Sequence, residues 1–226
     1  MLERSGKYDK TMVRKCMAGP NALYLTEELT DSMDIKPGTL VLDLGCGRGL
    51  SSVFLAKEYG ADVYAVDKNV YASETCMMLR DMGLDGHVFP IQADAASLPV
   101  PNGIIDTLVC VNAYHNFGME AGFFETRIKP ALKEDAQVGF VLLGRDKNFV
   151  YKDDDDNENP VFWTMDEWKH WFESEGIDVR ICEQLRSTQR AWKEWMTVAS
   201  PNATEEEIEN VKFNPELALI KIVGNA

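Results

Sequence analysis

The stretch "VLDLGCGRGLSS" occupies residues 41–52. It begins as a short apolar run of the kind that forms a strand covered on both faces. Three glycines, Gly45, Gly47 and Gly49, then arrive within five positions. Glycine at that density weakens a regular element, so its use here is a turn with unusual dihedrals or a close approach of backbone to a ligand. A helix that follows such a turn aims its first N–H groups into it. The spacing is GxGxG rather than the GxGxxG of dinucleotide-binding folds. Asp43 stands two residues ahead. A pyrophosphate gains little from a carboxylate there, whereas a cationic ligand gains from it.

Outward from this turn, strand-like and helix-like runs alternate. Residues 39–44 form a first strand and residues 50–59 a helix stopped by Gly60. Residues 62–67, "DVYAVD", form a second strand, and residues 70–82 a helix stopped by Gly83. A third strand, 87–92, is weaker because Pro90 interrupts it. The fourth, 104–111, "IIDTLVCV", is strong; residues 122–132 read as a helix kinked near Pro130, and 137–144 as a fifth strand. Alternation at this spacing predicts a parallel sheet joined by right-handed crossovers.

Beyond residue 145 the pattern changes. Residues 145–163 read as an acidic lid loop that includes Asp153 to Asp156. A capping box, Thr164 and Glu167, opens a helix with Met165, Trp168, Trp171 and Phe172 on one face, ending at Gly176. Residues 177–185 form a sixth strand and 217–223 a seventh; between them lie Trp192, Trp195 and Met196, and a second capping box, Thr204 and Glu207. Residues 1–36 read as a helical cap on a single domain spanning 1–226.

The 226 residues are 45% apolar and carry a formal net charge of −14. That length buries a substantial core in one domain. The acidic balance argues against nucleic acid and against an anionic membrane surface as partners. No run reaches the ~18 apolar residues of a membrane span. The cysteines Cys16, Cys46, Cys76, Cys110 and Cys182 are scattered and odd in number, with no CxxC pair, so no metal site and no disulfide framework is expected. The expectation is a cytoplasmic protein with reduced thiols.

A second acid, Asp67, ends the second strand, where a carboxylate takes the ribose hydroxyls of an adenosine. Ribose recognition beside positive charge points to S-adenosylmethionine, whose sulfonium and ammonium are both cationic. With "VLDLGCGRG", "VYAVDKN" and "IQADAASLPVPNGIIDTLVCVNAYHNF" in order, the chain resembles the class I S-adenosylmethionine-dependent methyltransferases, and within them bacterial and archaeal small-molecule enzymes. The resemblance implies an α/β, Rossmann-like, seven-stranded, mostly parallel sheet in the order 3-2-1-4-5-7-6, its last strand antiparallel, with helices on both faces. It implies that Asp43, Gly45, Cys46, Gly47 and Gly49 hold the methionine portion of the cofactor. Asp67 holds the ribose, with Lys68 and Asn69 beside the adenine; Asp94 and Ala95 meet the adenine amino group; Asn112 faces the methionine portion. One departure is visible: the family's "LKPGG" entry to strand five is here Leu132, Lys133, Glu134, Asp135, Ala136.

The acceptor side is less specified. His115 is the candidate base for a hydroxyl, thiol or amine acceptor, and the alternative is a histidine that only packs. Tyr8, Tyr114 and Trp163 are further acceptor-side candidates. Trp163, Trp192 and Trp195 are open to an aromatic-cage reading. The segment "NAYHNF" lacks the Asn/Asp-Pro-Pro-Tyr sequence of enzymes that methylate base amino groups, which weighs against a nucleic-acid acceptor. The expected function is methyl transfer to a small molecule. A cofactor-binding protein without transferase activity and a nicotinamide oxidoreductase are the alternatives.

Overall fold

β1 (Leu40–Leu44) is central in a seven-stranded sheet of order β3-β2-β1-β4-β5-β7-β6. Its partners β2 (Asp62–Asp67) and β4 (Ile105–Val111) run parallel to it, as do β3 (Val88–Gln92) beside β2 and β5 (Leu132–Arg145) beside β4. β7 (Leu217–Asn225) is antiparallel to both β5 and β6 (Asp178–Gln184). The structure is a computed structural model that describes residues 2–145, 163–201, 204 and 217–226. Asp153 to Asp156, Glu207, and the acidic lid loop apart from its two ends lie outside the described residues.

Strand parity divides the core. Leu42, Leu108, Cys110 and Phe140 face one side, where they meet Trp168 and Phe172 of α5 (Met165–Ser174). Val41, Val109 and Val141 face the other, against Leu25 and Leu29 of α2 (Ala22–Thr30), Leu55 of α3 (Leu50–Tyr59) and Leu79 of α4 (Ala72–Asp81). Successive side chains of a strand point to opposite faces, so runs such as "LVCV" supply both layers. α1 (Lys10–Cys16) and α6 (Thr188–Ala199) add a smaller apolar group in which Val13 and Met17 meet Phe54, Trp195 and Val198.

Two expected elements differ. The helix expected over 122–132 is a π-helical turn, Phe124–Ile128, followed by a 3-10 turn, Lys129–Ala131. Pro130 has no N–H to continue an α-helix. Buried Glu175 accepts from the N–H groups of Gly122 at 2.6 Å and Phe124 at 2.9 Å, fixing the start of the turn from outside. β5 begins at Leu132, ahead of the expected 137, because Leu132 pairs with Ile105 before the register shifts to Thr107–Gln137. The extra residues form a bulge in which Asp135 holds φ 56°. An aspartate tolerates this left-handed conformation, which explains how the chain dispenses with the usual glycines there. Pro90 is accommodated because β3 is an edge strand.

Candidate functional site

The glycine turn is built by its neighbours. Gly45 and Cys46 donate their N–H groups to the Val66 carbonyl at 2.8 and 3.1 Å, which binds the turn to the end of β2. Gly45, Gly47 and Gly49 hold φ of 74°, 55° and 83°. A Cβ on Gly45 would stand 2.4 Å from Ala113 Cβ, so that glycine is required by packing; around Gly47 no atom lies within 4 Å of such a Cβ. Gly49 caps the start of α3.

Two cavities flank the turn. One, of about 380 Å³, opens at the carboxyl ends of β1 and β2 and is lined by Gly45, Asp67, Lys68, Asn69, Asp94 and Ala95, with Asn116 and Phe117 opposite. The other, of about 110 Å³, is lined by Gly45, Cys46, Gly47, Ser51 and Asn112, with Met17 and Gly19 of the amino-terminal segment. The carboxyl ends of strands are where open α/β sheets take ligands.

In the larger cavity, Asp67 Oδ2 accepts from the Gly47 N–H at 2.9 Å, and Oδ1 from the N–H groups of Asn69 and Val70 at 2.8 and 3.0 Å. Asp94 Oδ1 accepts from the Ala96 N–H at 2.9 Å, and Oδ2 pairs with Lys68 Nζ at 2.7 Å. Lys68 and that N–H hold the Asp94 carboxyl below the usual carboxylate range. In the smaller cavity, Asn112 holds φ 53° while its N–H donates to the Val141 carbonyl at 2.7 Å. Asn112 Oδ1 is buried and has no hydrogen-bond partner among the described residues.

Asp43 differs from its expected place. It is 0% exposed, beneath the turn, and its Oδ2 accepts from the Ser51 and Ser52 hydroxyls at 2.6 and 2.5 Å. Its Oδ1 has no partner among the described residues. Burial pushes its carboxyl up to about 6 against the pull of the two serines, and Asp67 adds to the rise. Burial also raises the Cys46 thiol, with Asp43 and Asp67 adding to the effect.

The acceptor-side expectations fare less well. Tyr114 is 0% exposed and packs on Phe117, Phe140 and Phe172, with a Cβ on Gly118 only 2.3 Å from its Cζ. It belongs to the core. Tyr8 stacks on Phe54 at 6.1 Å, donates its hydroxyl to Glu58, and lines neither cavity. Trp163 packs on Trp168 and Trp171. Trp192 and Trp195 join two other apolar groups, so these tryptophans form no common cage. His115 is half-buried; burial lowers its pKa, and its Nδ1 is buried with no partner among the described residues. The residues the sequence reading passed over are Ala113, Asn116 and Phe117. Residues 114–116 form a 3-10 turn, and at three residues per turn Ala113 and Asn116 fall on one side, toward the cavity.

Residues 41–134 match the family model described as a methyltransferase domain. That match spans less than half of the chain. The chain's fold is that of the class I S-adenosylmethionine-dependent methyltransferases. The geranyl diphosphate C-methyltransferase of Streptomyces coelicolor A3(2), solved with Mg²⁺, geranyl diphosphate and S-adenosylhomocysteine, has a TM-score of 0.67 at 15% identity, covering 89% of this chain and 76% of that one. The [4+2]-cyclase SpnF has a TM-score of 0.74 at 15% identity, covering 99% and 95%. Among curated relatives, 2-methyl-6-phytyl-1,4-hydroquinone methyltransferase of Synechocystis is 29% identical over 144 residues, which is 60% of this chain and 42% of that protein. Phosphoethanolamine N-methyltransferase 3 of Arabidopsis thaliana is 42% identical over 48 residues, 21% and 10% of the two chains. The match thus spans less than half of the length of each of these curated methyltransferases.

Proposed function

We propose that this chain moves a methyl group from S-adenosylmethionine to a small-molecule acceptor and releases S-adenosylhomocysteine. The observation that carries the reading is the bond from the Gly47 N–H to Asp67 Oδ2, which makes one cradle of the glycine turn and the end of β2.

The residues fit the cofactor. Two N–H groups already occupy Asp67 Oδ1 and one occupies Oδ2, leaving a lone pair on Oδ2 for a ribose hydroxyl. Lys68, Asn69, Asp94 and Ala95 flank the adenine side of the same cavity. Gly47 lets the backbone approach the ligand. The orphaned Asn112 Oδ1 is a ready acceptor for the ammonium of the methionine portion. Asp43 supplies negative potential from beneath the turn rather than a direct contact.

When bound, the cofactor supplies an electrophilic methyl on a sulfonium. The chain's part is to hold the acceptor in line with that methyl and to exclude water. His115, kept neutral by burial, takes the proton of an acceptor that carries one. The net charge of −14 supports a small molecule rather than a nucleic acid as acceptor. The five free cysteines support a reducing, cytoplasmic setting. Among the described residues, no helix is long and apolar enough to cross a membrane.

The test is calorimetric titration of the purified chain with S-adenosylhomocysteine, followed by turnover of S-adenosylmethionine against an acceptor library. Binding with acceptor-dependent release of S-adenosylhomocysteine is expected. Binding without turnover across the library would overturn the transferase reading, and preference for NADH over S-adenosylhomocysteine would overturn the cofactor assignment.

A further inference from the structure

Asn21 is 1% exposed and joins parts of the chain that are far apart in sequence. Its side-chain Oδ1 accepts from the Leu23 N–H at 3.0 Å and so caps α2. Its backbone N–H donates to the Ala191 carbonyl at 3.1 Å, and its Nδ2 donates to Glu194 Oε2 at 3.0 Å. Ala191 and Glu194 both belong to α6. Glu194 also faces Tyr24: burial first, and this carboxylate second, push the Tyr24 phenol up to about 12, while Arg190 stands 4.5 Å over its ring.

The residues just before Asn21 matter for the site. Met17, Gly19 and Pro20 wall the smaller cavity against Gly45, Gly47 and Asn112. A Cβ on Gly19 would stand 3.6 Å from Asn112 Nδ2, so the wall lies directly on the residue that follows β4. Only three residues separate Met17 from Asn21, and the position of one constrains the other.

We infer that Glu194 is a positioning residue that, through Asn21, holds the 17–20 wall closed over the glycine turn and thereby slows the escape of the bound cofactor. This role rests on the cofactor reading above. The carboxylate touches neither cavity. It acts by making the closed wall the favoured arrangement, since apparent affinity falls with the fraction of molecules in the competent state. α6 stays docked without Glu194, because Ala191 is buried and Trp195 and Val198 pack against the group that includes Met17.

The experiment compares Glu194→Ala and Glu194→Gln with the parent chain. Glutamine keeps an acceptor for Asn21 Nδ2, whereas alanine removes it. Two readouts are taken. The first is hydrogen exchange of the amides of residues 17–22 in the ligand-free chain. The second is the dissociation rate of S-adenosylhomocysteine by stopped flow. Glu194→Ala should speed both, each roughly tenfold to hundredfold, the scale of one lost hydrogen bond to a charged group. Glu194→Gln should restore most of each, and the melting temperatures should stay close. Unchanged exchange at 17–22 in Glu194→Ala, or equal effects of alanine and glutamine, overturns the inference. If the parent chain does not bind S-adenosylhomocysteine, the cofactor reading fails, while the exchange measurement still decides whether Glu194 holds the wall.

Discussion

The N–H of Gly47 donates to Asp67 Oδ2 at 2.9 Å, so the middle of the glycine turn and the last residue of β2 are one structural unit. Asp67 therefore has two duties. It orients the turn, and in the proposed function it receives a ribose hydroxyl.

Asp67→Asn separates these duties poorly but measurably. An amide keeps one acceptor oxygen for the Asn69 and Val70 N–H groups and presents its NH₂ to the Gly47 N–H, donor against donor. The turn loses its tie and the ribose its charged partner. A hydrogen bond to a charged group contributes about 1.5–3 kcal/mol, so S-adenosylhomocysteine affinity should fall roughly tenfold to hundredfold. Calorimetric titration checks it, with circular dichroism confirming the fold. Parent-like affinity removes Asp67 from the site.

Much of this site is legible in the sequence because its determinants are local. α3 and β2 have the expected bounds: a glycine starts and ends α3, and alternation marks β2. What depends on tertiary packing is not legible in the same way. The bulge at Asp135 exists because β5 must pair with both Ile105 and Thr107. Tyr114 turns into the core, and Phe117 toward the cavity, because of a single 3-10 turn. The inward aim of Asp43 does follow from strand parity: it shares a face with Val41, the face that α3 covers. A reading guided by charge alone passes over this.

The two glycines Gly45 and Gly47 should fail differently. Gly45→Ala places a Cβ 2.4 Å from Ala113 Cβ at φ 74°. Left-handed backbone costs an alanine about 1–2 kcal/mol, and the overlap adds about 1–3 kcal/mol. A clear drop in melting temperature is expected. Gly47→Ala, at φ 55° with open space around it, bears the first cost only. Its larger effect should be on cofactor affinity, because the new methyl occupies the approach to the ligand. Thermal melts and titrations of both variants separate packing from binding; identical profiles would contradict the assignment.

Asp43 should leave a mark on the pH dependence of stability. Its folded pKa, pushed up to about 6 by burial, lies above the ordinary value of 3.8. The folded state then binds more protons than the unfolded state between those values, so stability falls as pH rises through that window. A tenfold difference in proton affinity between the folded and unfolded chain is worth about 1.4 kcal/mol. Asp43→Asn removes the titration, so its melting temperature relative to the parent should climb between about pH 4 and 6. Melts across that range test it. A difference that does not change with pH would mean Asp43 is ionised, without penalty, throughout.

His115 provides the test of chemistry. Its pKa is lowered by burial, so the imidazole is neutral at pH 7. Neutral is the form that removes a proton from a hydroxyl, thiol or protonated amine. A general base of this kind contributes about 10²–10⁴-fold. His115→Ala should cut kcat by a factor in that range and leave S-adenosylhomocysteine affinity almost unchanged, since the cofactor contacts lie on other residues. The acid limb of the parent's rate profile should have its midpoint below the ordinary histidine value of about 6.5, and the variant should lack that limb. Stability follows the same sign. The unfolded state binds the extra proton as pH falls below about 6.5, so the parent loses stability there down to the folded pKa, and His115→Ala does not. If instead the acceptor is a carbon nucleophile or a neutral amine, no proton need be taken before transfer, and the substitution should raise KM for the acceptor with kcat preserved. A variant with parent-like kcat, KM and pH profile assigns His115 to packing alone.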